Sequence, residues 1–230
     1  MAAGATILVI EDDVEIRRFL RTSLGAEGYR VIEATSARRG VIDAASHKPD
    51  LVILDLGLPD FDGIEVIAKI REWSALPVIV LSARIDERAK IAALDAGAND
   101  YITKPFGVGE LFARVRSALR HFTSPATNDG LLRLHDATID LVQRRATRNG
   151  EELRLTPIEF KLIACLAKNL GMVVTHRQLL TQVWGPVHEH DTHYLRIYMK
   201  QLRDKLEVDP ARPQHFLTET GAGYRLVVKE

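Results

Sequence analysis

Five polar residues stand where hydrophobic runs give way to turns. Ile7-Leu8-Val9-Ile10 runs into Glu11-Asp12-Asp13, and Leu51-Val52-Ile53-Leu54 ends on Asp55. Pro77 to Leu81 ends on Ser82, and Tyr101-Ile102-Thr103 runs into Lys104-Pro105. Apolar runs of this length read as strands buried on both faces of a parallel sheet. If the four strands are parallel, Glu11, Asp12, Asp55, Ser82 and Lys104 converge on one rim. That rim is where open α/β sheets bind ligands. Clustered carboxylates repel one another, so they either raise a pKa or hold a hard divalent cation, and a small Mg²⁺ site with retained waters fits this set. Lys104 adds a point charge for an anion and Ser82 a hydroxyl. Together they suit a phosphoryl group, with Asp55 as the nucleophile. Alone, Asp55 would read as a loop-capping aspartate.

The elements around these residues alternate. Val14 to Ala26 carries Ile16, Phe19, Leu20 and Leu24 at helical spacing, and Arg30 to Ala34 reads as a strand. A small-residue helix passes through Ala44-Ala45. Gly57, Pro59, Asp60 and Gly63 turn the chain after Asp55, and a helix follows to about Trp73. Further helices cover Glu87 to Ala96 and Glu110 to Leu119. Five strands alternating with five helices predict a doubly wound parallel sheet. Phe122 to Gly130 has linker composition, so domains are expected at 1–121 and 131–230.

Beyond residue 130 the grammar changes. Short strands are predicted at Leu131-Leu134, Ala137-Leu141, Arg145-Arg148 and Glu152-Leu155, with Asn149-Gly150 as a hairpin turn. Thr156-Pro157-Ile158-Glu159 is a capping box opening a helix. A second helix is expected from Arg177 to Trp184 and a third from Thr192 to Leu206. Phe216-Leu217-Thr218 and Tyr224 to Val227 close the chain as a hairpin. Three helices and a hairpin make a winged helix-turn-helix. On the third helix Leu195, Met199, Leu202 and Leu206 fall within about 40° of one direction. His193, Arg196, Ile197, Lys200 and Gln201 lie opposite, a basic and amide-bearing face suited to a major groove. Arg203 could add charge near phosphates or guanine edges.

The marks in the first half resemble the receiver domain of two-component response regulators, over residues 6 to 121. Those in the second half, Leu155-Thr156-Pro157-Ile158-Glu159-Phe160, Gln178-Leu179-Leu180, Val183-Trp184-Gly185 and Gly221-Ala222-Gly223-Tyr224-Arg225, resemble the OmpR/PhoB class. Asp55-Leu56-Gly57-Leu58-Pro59 and His193 to Met199 are similar to regulators of potassium-uptake operons. The resemblance implies strand order 2-1-3-4-5, phosphate transfer to Asp55 from a KdpD-like sensor histidine kinase, and Mg²⁺ bound by Asp12, Asp55 and the Gly57 carbonyl. Glu11 would act on the metal through water. Ser82 and Tyr101 would be the switch pair, and Lys104 would contact phosphoryl oxygens, with a cis peptide before Pro105. It further implies a homodimer formed on phosphorylation, binding to double-stranded promoter DNA, and a role with RNA polymerase. Dimer pairs would use Lys90 with Glu110 and Asp100 with Arg114. Asn99 replaces a usual acid, and His121 a usual arginine. In the wing, Thr220 stands where many members place arginine, leaving Arg225 as the expected wing contact.

Composition sets the remaining bounds. The 230 residues carry 31 Lys/Arg against 31 Asp/Glu, so total charge says nothing of nucleic acid. Residues 131–230, however, hold 15 basic against 12 acidic residues and six of the eight histidines, so arrangement must do the work. Cys165 is the sole cysteine, which excludes an intrachain disulfide and fits a reducing, cytoplasmic setting. No run is long enough to span a bilayer, so no membrane role is expected. His188-Glu189-His190-Asp191-Thr192-His193 has metal-ligand residue types, but Asp191 or Thr192 capping the third helix is the preferred reading. A phosphohydrolase on a similar sheet would need a second acid where Gly57 stands, so the chain is not read as an enzyme. A constitutive DNA binder with a vestigial receiver sits badly with an intact set of Asp12, Asp55, Ser82 and Lys104.

Overall fold

The structure is a computed structural model that describes residues 4–83, 86–123 and 130–228. The chain divides into two compact units, Met1–Phe122 and Thr123–Glu230. Within the expected linker, residues 124–129 lie outside the described residues.

In the first unit β1 (Thr6–Ile10), β2 (Arg30–Ala34), β3 (Leu51–Asp55), β4 (Val78–Ser82) and β5 (Asp100–Thr103) form one parallel sheet in the order β2-β1-β3-β4-β5. Every side chain from Ile7 to Ile10 and from Leu51 to Leu54 is at most 1% exposed, so both sheet faces are covered. Helices α1 (Val14–Ala26), α2 (Ala37–His47), α3 (Gly63–Arg71), α4 (Glu87–Asp95) and α5 (Val108–Thr123) alternate with the strands. The register sets Ile10 beside Leu54, Asp55 beside Leu81 and Ser82 beside Thr103. The strand ends are therefore level, and the residues that follow them share one rim.

Local chemistry fixes that rim. Asp13 caps α1, its Oδ1 accepting from the backbone N–H of Glu15 at 2.8 Å and of Ile16 at 2.9 Å. Of the expected α1 stripe, Leu20 and Leu24 are buried, but Phe19 is 40% exposed, its ring tilted against Phe106. Where β3 turns into α3, a Cβ on Gly63 would come within 2.7 Å of the Asp55 carbonyl oxygen and of Leu56 Cα. Only glycine lets the helix start this close beneath the strand end.

The second unit holds two antiparallel sheets. One is β6 (Leu131–Leu134), β7 (Ala137–Asp140), β8 (Arg145–Arg148) and β9 (Glu151–Glu152), paired in sequence order. Asn149 and Gly150 both have positive φ, as the Asn-Gly hairpin reading requires. The last of these strands is only two residues long rather than extending to Leu155. Helices α6 (Pro157–Lys168), α7 (His176–Trp184) and α8 (Thr192–Leu206) follow. The other sheet is β10-β12-β11, with β10 at Val173–Thr175, β11 at Phe216–Glu219 and β12 at Gly223–Leu226. Strand β10 was not expected from the sequence, because three residues carry too little alternation to register. It matters to the wing: a Cβ on Gly223 would strike the Val174 carbonyl oxygen, so the hairpin packs backbone against backbone there.

Candidate functional site

At the receiver rim the predicted acids and the lysine meet. Lys104 Nζ lies 2.7 Å from Glu11 Oε2 and 3.3 Å from Asp55 Oδ2. Carboxylate oxygens of Glu11, Asp12 and Asp55 all lie within 4.8 Å of one another, the only such group of three or more His, Cys, Asp or Glu among the described residues. Glu11 is buried, Asp55 half-buried and Asp12 exposed, so the cluster is open to solvent on the Asp12 side. Burial pushes the Glu11 carboxyl above its ordinary pKa, and the hydrogen bond from Lys104 opposes that shift. The backbone of Gly57 lies beside the same carboxylate: a Cβ built there would stand 3.6 Å from Asp55 Oδ2. Three clustered carboxylates suit a hard, small cation such as Mg²⁺.

Ser82 and Tyr101 are both buried, and the Ser82 carbonyl accepts from the Lys104 backbone N–H at 2.8 Å. The Lys104–Pro105 peptide is cis. Beside Lys104 an open depression of about 730 Å³ is lined by Glu15, Ile16, Phe19, Ala83, Pro105 and Phe106.

The expected dimer residues Lys90, Asp100, Glu110 and Arg114 lie on α4, β5 and α5. Arg114 pairs within its own chain, 3.2 Å from Asp100 Oδ2 and 3.3 Å from Glu110 Oε1. Lys90 is half-buried on α4. Within its own domain, Asn99 Oδ1 accepts from the Val78 backbone N–H at 2.9 Å and from Arg71 Nη2 at 3.0 Å. Its amide oxygen is thus engaged inside the receiver. Arg71 also donates to the carbonyls of Ser74, Leu76 and Gly97, and burial lowers its pKa. The side chain of His121 lies outside the described residues.

In the second unit α8 buries Leu195, Met199, Leu202 and Leu206 and exposes His193, Arg196, Ile197, Lys200 and Gln201. The far end of the helix is held by Arg148 of β8, which donates to the Lys205 carbonyl at 2.9 Å while pairing with Asp136. Buried Glu207 accepts from the backbone N–H groups of Gln214, His215 and Phe216, tying the helix end to β11. The outward face is therefore presented by a helix tied to both sheets' strands at its far end.

Two predicted DNA contacts, Arg225 and Arg203, make hydrogen bonds within the unit. Arg225 is 4% exposed, its Nε 2.8 Å from Glu219 Oε1 and its Nη1 bonded to the Gly171 carbonyl. Alternation along β12 puts it on the face opposite Tyr224 and Leu226, which join the hydrophobic core, and the Glu219 carboxylate and Gly171 carbonyl cover it there. Arg203 bonds to the Phe216 carbonyl and to Thr218 Oγ1 and lies over the Tyr224 ring, joining α8 to the hairpin. Thr220 is exposed at the hairpin tip. Asp191 occupies the N-cap position of α8 but makes no side-chain cap bond; its Oδ2 lies 2.8 Å from His188 Nδ1. Thr192 is already the first helical residue, and the His188–His193 run forms no metal-ligand group of three.

Comparison with known proteins bears on both units. Residues 7–116 match the family described as "Response regulator receiver domain", and residues 150–226 match "Transcriptional regulatory protein, C terminal". The chain is 60% identical over 222 residues to the KDP operon transcriptional regulatory protein KdpE of Escherichia coli K12, covering 96% of this chain and 99% of that one. It is 49% identical over 220 residues to the transcriptional regulatory protein KdpE of Mycobacterium tuberculosis CDC 1551, covering 95% and 97%. The chain belongs to the OmpR/PhoB class of response regulators. Among solved structures, the response regulator DrrB, a Thermotoga maritima OmpR/PhoB homologue, aligns over 98% of this chain and 100% of its own with TM-score 0.50 and 31% identity.

Two features of this regulator escaped the sequence reading. Tyr194 is 57% exposed beside His193 on the outer turn of α8. Its distance from the Leu195 stripe, about 100° around the helix, was the available signal. Asp60, read only as a turn former, accepts from the backbone N–H groups of Ala37 and Arg38, both at 2.8 Å. Nothing in a local pattern announces a cap donated from 22 residues away.

Proposed function

We propose that Asp55 accepts a phosphoryl group from a KdpD-like sensor histidine kinase in the cytoplasm, and that the modified protein dimerises and binds promoter DNA. The target is a potassium-transport operon, and RNA polymerase is the downstream partner. The observation that carries this reading is the Lys104 ammonium set between Glu11 and Asp55 at the strand ends.

In this account an Asp55 oxygen attacks phosphorus, the bond from phosphorus to the kinase histidine nitrogen breaks, and the imidazole leaves with the electron pair. Asp12, Asp55 and the Gly57 carbonyl would hold Mg²⁺, with Glu11 acting through water. When bound, the ion neutralises charge on the phosphoryl oxygens and on the carboxylates. Lys104 shifts from the carboxylates toward the new phosphoryl oxygens, and the Ser82 hydroxyl, with Tyr101, follows as the switch pair. Lys90, Asp100, Glu110 and Arg114 provide the dimer face. A dimer places two α8 helices for adjacent half-sites. His193, Arg196, Ile197, Lys200 and Gln201 then face the major groove.

The test is labelling of wild type and Asp55→Ala by acetyl phosphate, with and without EDTA, resolved by gel mobility. Wild type should be modified only with Mg²⁺, and the variant not at all. Undiminished modification of the variant would overturn the assignment, and DNA binding indifferent to modification would favour a constitutive binder.

A further inference from the structure

The loop between β3 and α3 must hold the Gly57 carbonyl in place, yet most of its residues belong to no regular element. Its anchors are specific. Leu56 and Leu58 flank Gly57 and are buried, at 0% and 9% exposure. At the far end the Gly63 N–H donates to the Leu56 carbonyl at 3.2 Å, and Asp62 caps α3 through the Ile64 N–H. Between Leu58 and Asp62 the Asp60 carboxylate leaves its own loop for the start of α2. Oδ1 accepts from Ala37 N–H and Oδ2 from Arg38 N–H, both at 2.8 Å.

The first amides of a helix have no partner within it and carry the positive end of its dipole, so a carboxylate is a strong ligand for them. The Arg38 and Ala37 N–H groups accordingly hold the Asp60 carboxyl below its ordinary pKa. Helix α2 also has an N-cap of its own, Ser36, which accepts from the Arg39 N–H. What Asp60 adds is a fixed distance between that turn and the loop.

We infer that Asp60 is a positioning residue for the divalent-cation site: by clamping the β3–α3 loop to α2 it holds the Gly57 backbone beside Asp55. This rests on the Mg²⁺-dependent phosphoacceptor reading above. Partners outside the ligand shell orient the ligands, and losing one weakens metal binding. Asp60 itself touches no reacting atom.

The experiment is a titration of the full-length protein with Mn²⁺, a paramagnetic substitute for Mg²⁺, followed by loss of the free-ion resonance signal. Asp60→Ala should weaken Mn²⁺ binding roughly tenfold, the low end of what losing an outer-shell partner costs. Asp60→Asn, which keeps one acceptor oxygen, should fall between. Ser36→Ala is the control: it removes a cap from the same helix turn and should lower thermal stability with Mn²⁺ affinity unchanged. A folded Asp60→Ala protein with wild-type affinity overturns the inference and leaves the site reading intact. Equal weakening in Ser36→Ala also overturns it, since the helix turn rather than the clamp would then matter. Wild type that binds no Mn²⁺ brings down the site reading itself.

Discussion

Lys104 stands just past the end of β5, yet its ammonium lies 3.3 Å from Asp55 Oδ2 at the end of β3, spanning the intervening strand β4. The same ammonium bonds to Glu11 at 2.7 Å, so one cation compensates two of three clustered acids. Replacing it with the uncharged Lys104→Met should slow labelling by acetyl phosphate roughly a hundredfold, the scale of losing one preorganised charge stabiliser. Time courses at saturating Mg²⁺ check this. An unchanged rate would mean that Lys104 serves only to neutralise the resting site.

Buried Arg225 pairs in the wing with the partly exposed Glu219. Arg225→Ala removes the donor to the Gly171 carbonyl and the ion pair with Glu219, so it should cost the second unit about 1–3 kcal/mol. Denaturant unfolding reads the loss directly. DNA affinity measured well below the melting transition should stay near wild type. A variant that is stable yet binds DNA poorly would return Arg225 to the contact surface.

Asn99 makes a comparable case in the receiver. Its carbonyl oxygen serves the Val78 N–H and Arg71, so Asn99→Ala should cost about 1–3 kcal/mol, chiefly by removing the Val78 acceptor, since Arg71 keeps its carbonyl partners. The proposed dimer should persist, because its pairs lie elsewhere. Light scattering on the phosphorylated protein, with Glu110→Lys as the disrupted comparison, separates the two effects. A stable Asn99→Ala protein that fails to dimerise would place Asn99 at the interface after all.

These two residues show where sequence reasoning reached its limit. The strand-end acids were legible because position along a parallel strand dictates which rim a residue joins. The α8 boundaries and its buried stripe were legible because helical period sorts faces. Arg203, Arg225 and Asn99 were assigned outward roles because residue type says what a side chain can do, while direction depends on partners far along the chain. Arg203 finds Phe216, and Asn99 finds Arg71, through tertiary packing alone. Asp60 illustrates the converse, a turn residue whose work is done at another element.

Cys165 yields a pH prediction. Burial pushes its thiol from 9.0 up to about 11, and its Sγ–H donates to Gln182 Oε1 at 3.1 Å. Between those values the unfolded chain releases a proton that the folded chain keeps, so stability falls as pH rises from about 9 to 11 and is untouched at neutral pH. The full effect is on the order of 2 kcal/mol. Cys165→Ala should remove that part of the slope when unfolding midpoints are compared across the window. An identical slope in both proteins would show that another group governs it.

The basic side chains of α8 can be told apart by salt. Lys200 is exposed, whereas Arg203 is bound to the Phe216 carbonyl and Thr218. A lysine that neutralises one phosphate releases one condensed counterion, so Lys200→Ala should weaken binding to every sequence and flatten the salt dependence by about one unit of slope. Ile197→Ala should leave that slope alone and instead relax preference at one position by about 1–3 kcal/mol. Arg203→Ala should lower the stability of the second unit while leaving the salt slope unchanged. Affinities for a selected operator and a scrambled duplex, measured at several salt concentrations, distinguish all three. A slope change in Arg203→Ala equal to that of Lys200→Ala would mean the guanidinium leaves the hairpin to meet a phosphate. A Lys200→Ala protein with wild-type slope and affinity would remove this face of α8 from the DNA.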